Sequence, residues 1–419
     1  MTPPDTVIMK ADTAADLPAS PPNLWLSAAS LALGPAAALG FARFAYALLL
    51  PAMQSDLGWN YAQSGLINTA NAVGYLLGAL IAAPVIRAWG VQRVFSVSLM
   101  LTAASVAATA LTGNFFILMA LRLIPGATGA TVLIAGAALA AQLATRHNSR
   151  AALILGIYYA GVGLGIMISG FAVPLLLASH GGWRGAWVLL GALSAVPVIT
   201  TAKINRHASF TPDAVGHAAA HFPWRRFGWS LTSYFLLALG YIGYMTFMIA
   251  FLRMHTSGAG SVMAFWMLLG LMAMLSFKPW NRLLQTSRDG RMMAWPLAVL
   301  TVGTLLPVLS MHTVALYVSA ALFGISFLVP VTATTALVRL GLPQTEWPRG
   351  IALFTVVFGV GQSIGPFAAG FVADHFGGLA ASIAFSAAVV AAAALCAVFQ
   401  HDVVPRQHVP RTRRHMPSS

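Results

Sequence analysis

The chain has 419 residues, of which 58% are apolar and only 8% charged, and its formal net charge is +14. A typical soluble protein carries about 25% charged residues, so this chain lacks the polar surface a soluble fold requires. Open sheets leave edge N–H and C=O groups unpaired in hydrocarbon. The short alternating segments that mark a membrane barrel do not occur, which leaves a polytopic helical membrane protein.

Residues 1–23 hold five prolines and three aspartates and read as a disordered tail rather than a signal peptide. After them, apolar runs of about 20 residues or more, long enough to span a bilayer, recur nearly end to end. The first six are predicted at 24–53, 62–86, 92–112, 115–144, 150–178 and 184–203. A polar stretch at about 204–225 follows and reads as a linker. Six more are predicted at 226–252, 261–284, 292–311, 313–340, 349–375 and 378–400, before a basic tail at 401–419. The expected organisation is therefore two six-helix bundles, 24–203 and 226–400, in an all-α membrane protein. The single cysteine, Cys396, lies in an apolar run and reads as a packing residue.

Lysine and arginine collect on the cytoplasmic side of a membrane protein. With the N-terminus inside, 19 of the 23 basic residues fall in cytoplasmic segments, and two, Arg184 and Arg253, fall in external loops. Both termini are therefore expected in the cytoplasm. The basic surplus becomes a topology signal, and nucleic-acid binding is not needed to explain it.

The chain also partly repeats itself after 200 residues. ALGFARF (38–44) lies over ALGYIGY (238–244), and GVGLGIMISGF (161–171) lies over GQSIGPFAAGF (361–371). The second pair shares Gly161 with Gly361, Gly165 with Gly365 and Gly170 with Gly370. Gly90, in the first basic loop, matches Gly290. Small residues at helical spacing let helix backbones approach closely. GVGLG has no preceding strand and no ribose-binding acid, so it is not a dinucleotide loop. Six-plus-six repeats belong to transporters whose site lies between two pseudo-symmetric halves.

These features resemble the major facilitator superfamily over about residues 24–400. RLIPGATGA (122–130), with Gly126, is similar to its fourth-span motif, GQSIGPFAAG (361–370), with Pro366, to its Gly-x-x-x-Gly-Pro pattern, and GGWR (181–184) to a common turn. RAWGVQR (87–93) keeps Gly90, but Arg87 stands where the family has an aspartate. GFARFAYALLLPAMQSDLG and QSGLINTANAVGYLLGAL are more specific and resemble the YbfB/YjiJ-like branch. The resemblance implies a transport fold with the first and fourth spans lining a central cavity. It names no solute.

Every Asp, Glu and His falls in a tail, a loop or a span end, and two ionisable groups remain deep in the apolar runs, Arg43 and Arg122. A membrane-embedded arginine costs several kcal/mol unless it meets water or a partner, and its planar fork suits carboxylate, phosphate or sulfonate. Both are expected to contact the solute from the N-terminal half. Tyr46, Asn68 and Asn71 are further candidates there, with Tyr241, Tyr244 and Gln362 facing them from the C-terminal half. Gly90, Gly126, Gly161, Gly165, Gly361, Gly365, Pro366, Gly370 and Asp374 are expected to serve packing or conformational change.

The expected function is a secondary transporter of a small, anionic organic solute, working as a monomer in the inner membrane without metal or cofactor. The alternative is an exporter of amphipathic compounds. A membrane enzyme would need clustered His, Cys, Asp or Glu, and ATP-driven pumping a GxxxxGK[ST] loop. The sequence shows neither.

Overall fold

The computed structural model describes residues 24–146, 150–179, 181–204, 223–256 and 258–403. The expected tails at 1–23 and beyond 403, and most of the expected linker, lie outside the described residues. Helix makes up 91% of the structure, with no strand among the described residues. Among the described residues, twelve helices are long and apolar enough to cross a membrane. The first six are α1 (Leu24–Leu57), α2 (Tyr61–Trp89), α3 (Val91–Leu111), α4 (Phe115–Thr145), α5 (Leu153–Ala178) and α6 (Gly182–Thr201). The last six are α7 (Arg225–His255), α8 (Ala259–Thr286), α9 (Arg291–Leu309), α10 (Thr313–Gly341), α11 (Gln344–His375) and α12 (Gly378–Val398).

Helix ends follow local chemistry. Asn60 and Gln63 form a capping box that starts α2, each side chain accepting from the other's backbone N–H, which satisfies donors that the first turn leaves open. Gly58 ends α1 at φ +67° and Gly90 ends α2 at φ +82°, a backbone region that glycine adopts without penalty.

The shared glycines explain the 200-residue repeat. A methyl group on Gly161 would run into the Ala32 carbonyl and one on Gly165 into the Ala36 carbonyl, so α5 lies directly on α1. A methyl on Gly361 would meet the Phe235 carbonyl and one on Gly365 the Leu239 carbonyl, placing α11 on α7 in the same way. The third pair joins the halves. Gly170 packs on Trp266 of α8, and Gly370 on the Tyr61 backbone of α2. The α2–α11 and α5–α8 contacts thus form two pseudo-symmetric seams. Gly126 closes α4 on the Asn71 carbonyl of α2.

The seam between α2 and α11 is tied at one end of the molecule. The Asp374 carboxylate accepts from the backbone N–H of Tyr61 at 3.0 Å and of Ala62 at 2.8 Å. Asp374 was expected to serve packing or conformational change. Here it caps a helix of the other half, where its charge also meets the positive end of the helix dipole. Further along the seam, Thr69 Oγ1 donates to the Ser363 carbonyl at 2.8 Å. Pro366 faces Gly65 through its carbonyl. The chain stays docked past α12: Gln400 Oε1 accepts from Ser230 N and Oγ, and Val403 is buried.

Candidate functional site

The middle of α1 is not α-helical. Residues Ala36–Phe44 form a π-helix, with Ala45 N–H donating to the Gly40 carbonyl five residues back. Such segments are uncommon overall and are frequent at functional sites. All nine of its residues are buried, including Arg43.

Arg43 reaches across the middle of the molecule. Its Nη2 donates to Gln362 Oε1 of α11 at 2.6 Å, and the same oxygen accepts from the Tyr241 hydroxyl of α7 at 3.3 Å. The guanidinium carbon lies 5.2 Å from the Tyr75 ring centroid and 5.9 Å from that of Phe44, within cation–π range. Opposite it stands an aromatic wall. Tyr241 stacks between Phe358, at 5.7 Å, and Phe327, at 6.2 Å, and Phe44 meets Phe327 edge-on. Tyr75 and Phe358 are half-buried, whereas Tyr241 and Phe327 are buried.

Arg122 occupies a different setting. It is fully buried, its Nη1 donates to the Ala42 carbonyl at 2.6 Å, and it packs 5.4 Å from the Tyr46 ring and 5.0 Å from Trp187. It therefore braces the π-helical turn that carries Arg43. Asn71 Nδ2 in turn donates to the Arg122 carbonyl at 3.1 Å.

The remaining candidates divide. Asn68 Nδ2 donates to Thr246 Oγ1 of α7 at 2.7 Å, a second hydrogen bond across the halves. Tyr46 spends its hydroxyl on the Ser64 carbonyl of α2 at 2.8 Å. Tyr244 pairs with Ser319 of α10 at 2.6 Å and stacks on Phe323, turned into the last six helices. The structure therefore brings Arg43, Gln362 and Tyr241 together, sets Asn68 on the same interface, and places Arg122, Tyr46, Asn71 and Tyr244 in helix packing.

The electrostatics are unusual. The ion pairs formed among the described residues, Arg184–Asp56 and Arg291–Asp289, involve neither buried arginine. Arg43 Nε, Gln362 Nε2 and Asn68 Oδ1 are buried without a hydrogen-bond partner, and unmet groups of this kind cost about 1–3 kcal/mol each. No group of three or more His, Cys, Asp or Glu among the described residues is arranged to hold a metal. The cluster offers a cation, two amides and an aromatic wall, which suits binding an anion and provides no nucleophile or acid–base pair.

Residues 35–398 match the family described as "Uncharacterised MFS-type transporter YbfB". This chain belongs to the YbfB-like branch of the major facilitator superfamily. It is thus a multi-pass membrane transporter protein by family. One relative, a gallate transporter from Pseudomonas putida, is 30% identical over 155 residues, covering 37% of this chain and 34% of that protein. The chain therefore spans about a third of the length of that curated relative. Among solved structures, a point mutant of the nucleoside transporter NupG aligns with TM-score 0.74 at 14% identity, covering 90% of this chain and 99% of that one. A bacterial homologue of the lysosomal transporter Spinster, inward-facing and unoccupied, aligns at 0.63 and 18% identity, covering 90% and 95%. These two likenesses concern the fold of this superfamily member alone.

Sequence reasoning did not single out Phe327, Phe358, Thr246 or Trp187. Phe354 and Phe358 are spaced to share a helix face, which is a visible signal. Phe327 comes from a third helix, and nothing local in the sequence marks its meeting with Tyr241.

Proposed function

We propose that this transporter moves a small organic anion by alternating access of its two six-helix halves, with Arg43 as the anion's anchor. The observation that carries the reading is the Arg43–Gln362 contact: a buried guanidinium bonded to a neutral amide, with no carboxylate beside it among the described residues. A neutral acceptor leaves the charge uncompensated, and removing a charge from water is costly without an opposite charge. A bound carboxylate would supply that charge and engage the orphaned Arg43 Nε and Gln362 Nε2.

The aromatic wall of Tyr241, Phe358 and Phe327 favours a flat solute, and a gallate transporter among the relatives is consistent with an aromatic carboxylate. Asn68 Oδ1, which lacks a donor, would accept from a ring hydroxyl. The basic-residue pattern supports cytoplasmic termini in an inner membrane. No carboxylate or histidine contacts Arg43 among the described residues, so a protonated solute or exchange is favoured over a carboxylate relay in the protein.

A second reading, export of amphipathic compounds, is favoured by a separate apolar cavity of about 620 Å³ lined by Leu26, Leu33, Ile157, Leu164 and Met274. One experiment separates the two. Thermal stabilisation of the purified protein is measured with benzoate, gallate, succinate, a sulfonate, a neutral sugar and a lipophilic cation, beside Arg43→Ala. Stabilisation by a carboxylate that vanishes in the variant supports the anion carrier. Stabilisation by the cation alone, unchanged in the variant, overturns it in favour of the exporter.

A further inference from the structure

The apolar cavity of about 620 Å³ is a groove with a charged mouth. Its floor is α1 from Leu26 to Leu33, and one wall is α5 from Ile157 to Leu164. Each stretch advances seven residues, roughly 10 Å at the helical rise. Thr200 of α6 and Met274 of α8 complete the lining, so the groove touches both halves. It lies apart from the Arg43 cluster. Ile157, Ala160, Gly161 and Leu164 share one face of α5, and Tyr159 projects from the opposite face. Tyr159 interacts electrostatically with Tyr75, the ring beside Arg43. The groove therefore opens on the bilayer side of α5, away from the anion cluster.

Along its length the groove offers little to a polar molecule. Ser30 Oγ donates to the Ser27 carbonyl at 2.9 Å, and Thr200 Oγ1 to the Val196 and Pro197 carbonyls at 3.3 Å. Both hydroxyl donors are thus spent on their own helices. The mouth differs. Leu26 is exposed there, and the Arg150 guanidinium carbon lies 5.3 Å from the ring centroid of the neighbouring Trp25. Leu24, Ala28, Ala151 and Ile154 pack together, which holds the start of α1 beside Arg150. Arg150 is exposed and forms no ion pair with the described residues. Among described residues 24–204 the sole acid is Asp56, at the far end of α1 and already bonded to Arg184 and Trp183. No described acid of this half therefore offsets the Arg150 charge.

We propose that this groove holds an acyl chain of an anionic phospholipid, with the phosphate on Arg150 and the Trp25 ring at headgroup level. Lipid tails are as apolar as leucine, so the groove itself accepts any chain. Selection comes from the mouth. Tryptophan favours the membrane–water interface, and the guanidinium fork suits phosphate. The basic-residue pattern supports a cytoplasmic position for this end, and the cytoplasmic leaflet carries the anionic lipid. A cation at the mouth also disfavours the lipophilic cations that an exporter would collect. Gly163 packs against Met274 at the rim, so the bound chain would lie along the α5–α8 seam between the halves. The proposal is independent of the anion reading, since its residues form no part of the Arg43 cluster.

Photo-crosslinking of the whole chain tests the site. The protein is reconstituted in vesicles of equimolar phosphatidylcholine and phosphatidylglycerol. A trace of one lipid or the other carries a diazirine on its acyl chain, and labelled peptides are mapped by mass spectrometry after illumination. The phosphatidylglycerol probe is expected to label residues 26–33 and 157–164 about fivefold more than the phosphatidylcholine probe, the preference that one basic residue near the surface confers. Arg150→Gln should bring the two probes close to parity, and Arg150→Lys should largely keep the preference. Leu33→Trp, which fills the deep end, should lower labelling of these peptides by both probes and leave the rest of the chain labelled as before. Equal labelling by the two probes, a ratio unmoved by Arg150→Gln, or unlabelled groove peptides overturns the lipid site. Loss of groove labelling on adding tetraphenylphosphonium also overturns it, and assigns the cavity to an amphipathic solute. Arg43→Ala should leave the labelling pattern unchanged, so the lipid site and the anion anchor fail separately.

Discussion

Arg43 and Gln362 lie 319 residues apart in sequence and meet at 2.6 Å across the interface between the first and last six helices. On the proposed anchor, a carboxylate that engages the free Arg43 Nε and Gln362 Nε2 would sit against this inter-half hydrogen bond, so we expect solute binding and the bond to be linked. Gln362→Glu would place a permanent carboxylate on Arg43. We expect the variant to unfold at a higher temperature than the parent and to lose anion affinity at least tenfold, about 1.4 kcal/mol. Thermal unfolding with and without benzoate or gallate measures both effects. A variant that still responds to anions as the parent does would remove Gln362 from the site.

Arg122 predicts the opposite pattern from Arg43. It is completely buried and holds the Ala42 carbonyl within the π-helical turn. Arg122→Ala would remove that hydrogen bond, and a bond from a charged donor is worth about 1.5–3 kcal/mol; it would also leave a void between Tyr46 and Trp187. The expected result is a lowered unfolding temperature, partly restored by Arg122→Lys. Arg43→Ala, by contrast, is expected to keep the parent unfolding temperature without solute and lose only the anion-dependent rise.

Much of this was legible in the sequence for physical reasons. Twelve apolar runs announce twelve helices because hydrocarbon permits few other backbones. The glycine pairs 161/361 and 165/365 announced close helix contact, since a side chain there has nowhere to go. Arg43 was conspicuous because a charge in an apolar run demands an explanation. The partner was less visible. Gln362 was a candidate from its place in the repeat, but its bond to Arg43 depends on how α1 and α11 approach, which no local pattern encodes. The π-helical turn was invisible as well: ALGFARF reads as ordinary helix, and tertiary packing selects the wider turn. The capping role of Asp374 was not visible, because its two acceptors are used more than 300 residues away.

That distant cap makes its own prediction. Asp374→Ala removes both acceptors from the α2 start, where loss of a helix cap costs about 0.5–2 kcal/mol. Because the cap belongs to the other half, the loss should loosen the seam rather than the helix. In a Cys396→Ser background, a thiol introduced by Thr69→Cys, part-way down that seam, is expected to react about fivefold faster with a small maleimide when Asp374→Ala is added, the equivalent of about 1 kcal/mol. Asp374→Asn, which retains one acceptor, should fall between. An unchanged rate would mean that the seam is held without the cap.

The last prediction concerns the glycines that hold each half together. Gly161 and Gly156 lie five residues apart on α5. Their surroundings differ. A methyl on Gly161 would meet the Ala32 carbonyl, whereas nothing lies within 4 Å of one on Gly156. Backbone cannot step aside as a flexible side chain does, so Gly161→Ala must push α5 away from α1. Overpacking of this kind costs about 1–3 kcal/mol, and the displacement would also shift the π-helical turn bearing Arg43. Gly156→Ala gains helix propensity of up to about 1 kcal/mol with no clash. Thermal unfolding should therefore move down for Gly161→Ala and hold or rise for Gly156→Ala, with anion stabilisation weakened only in the first. Equal effects at the two positions would show that helix propensity, and not the α1–α5 approach, sets the need for glycine.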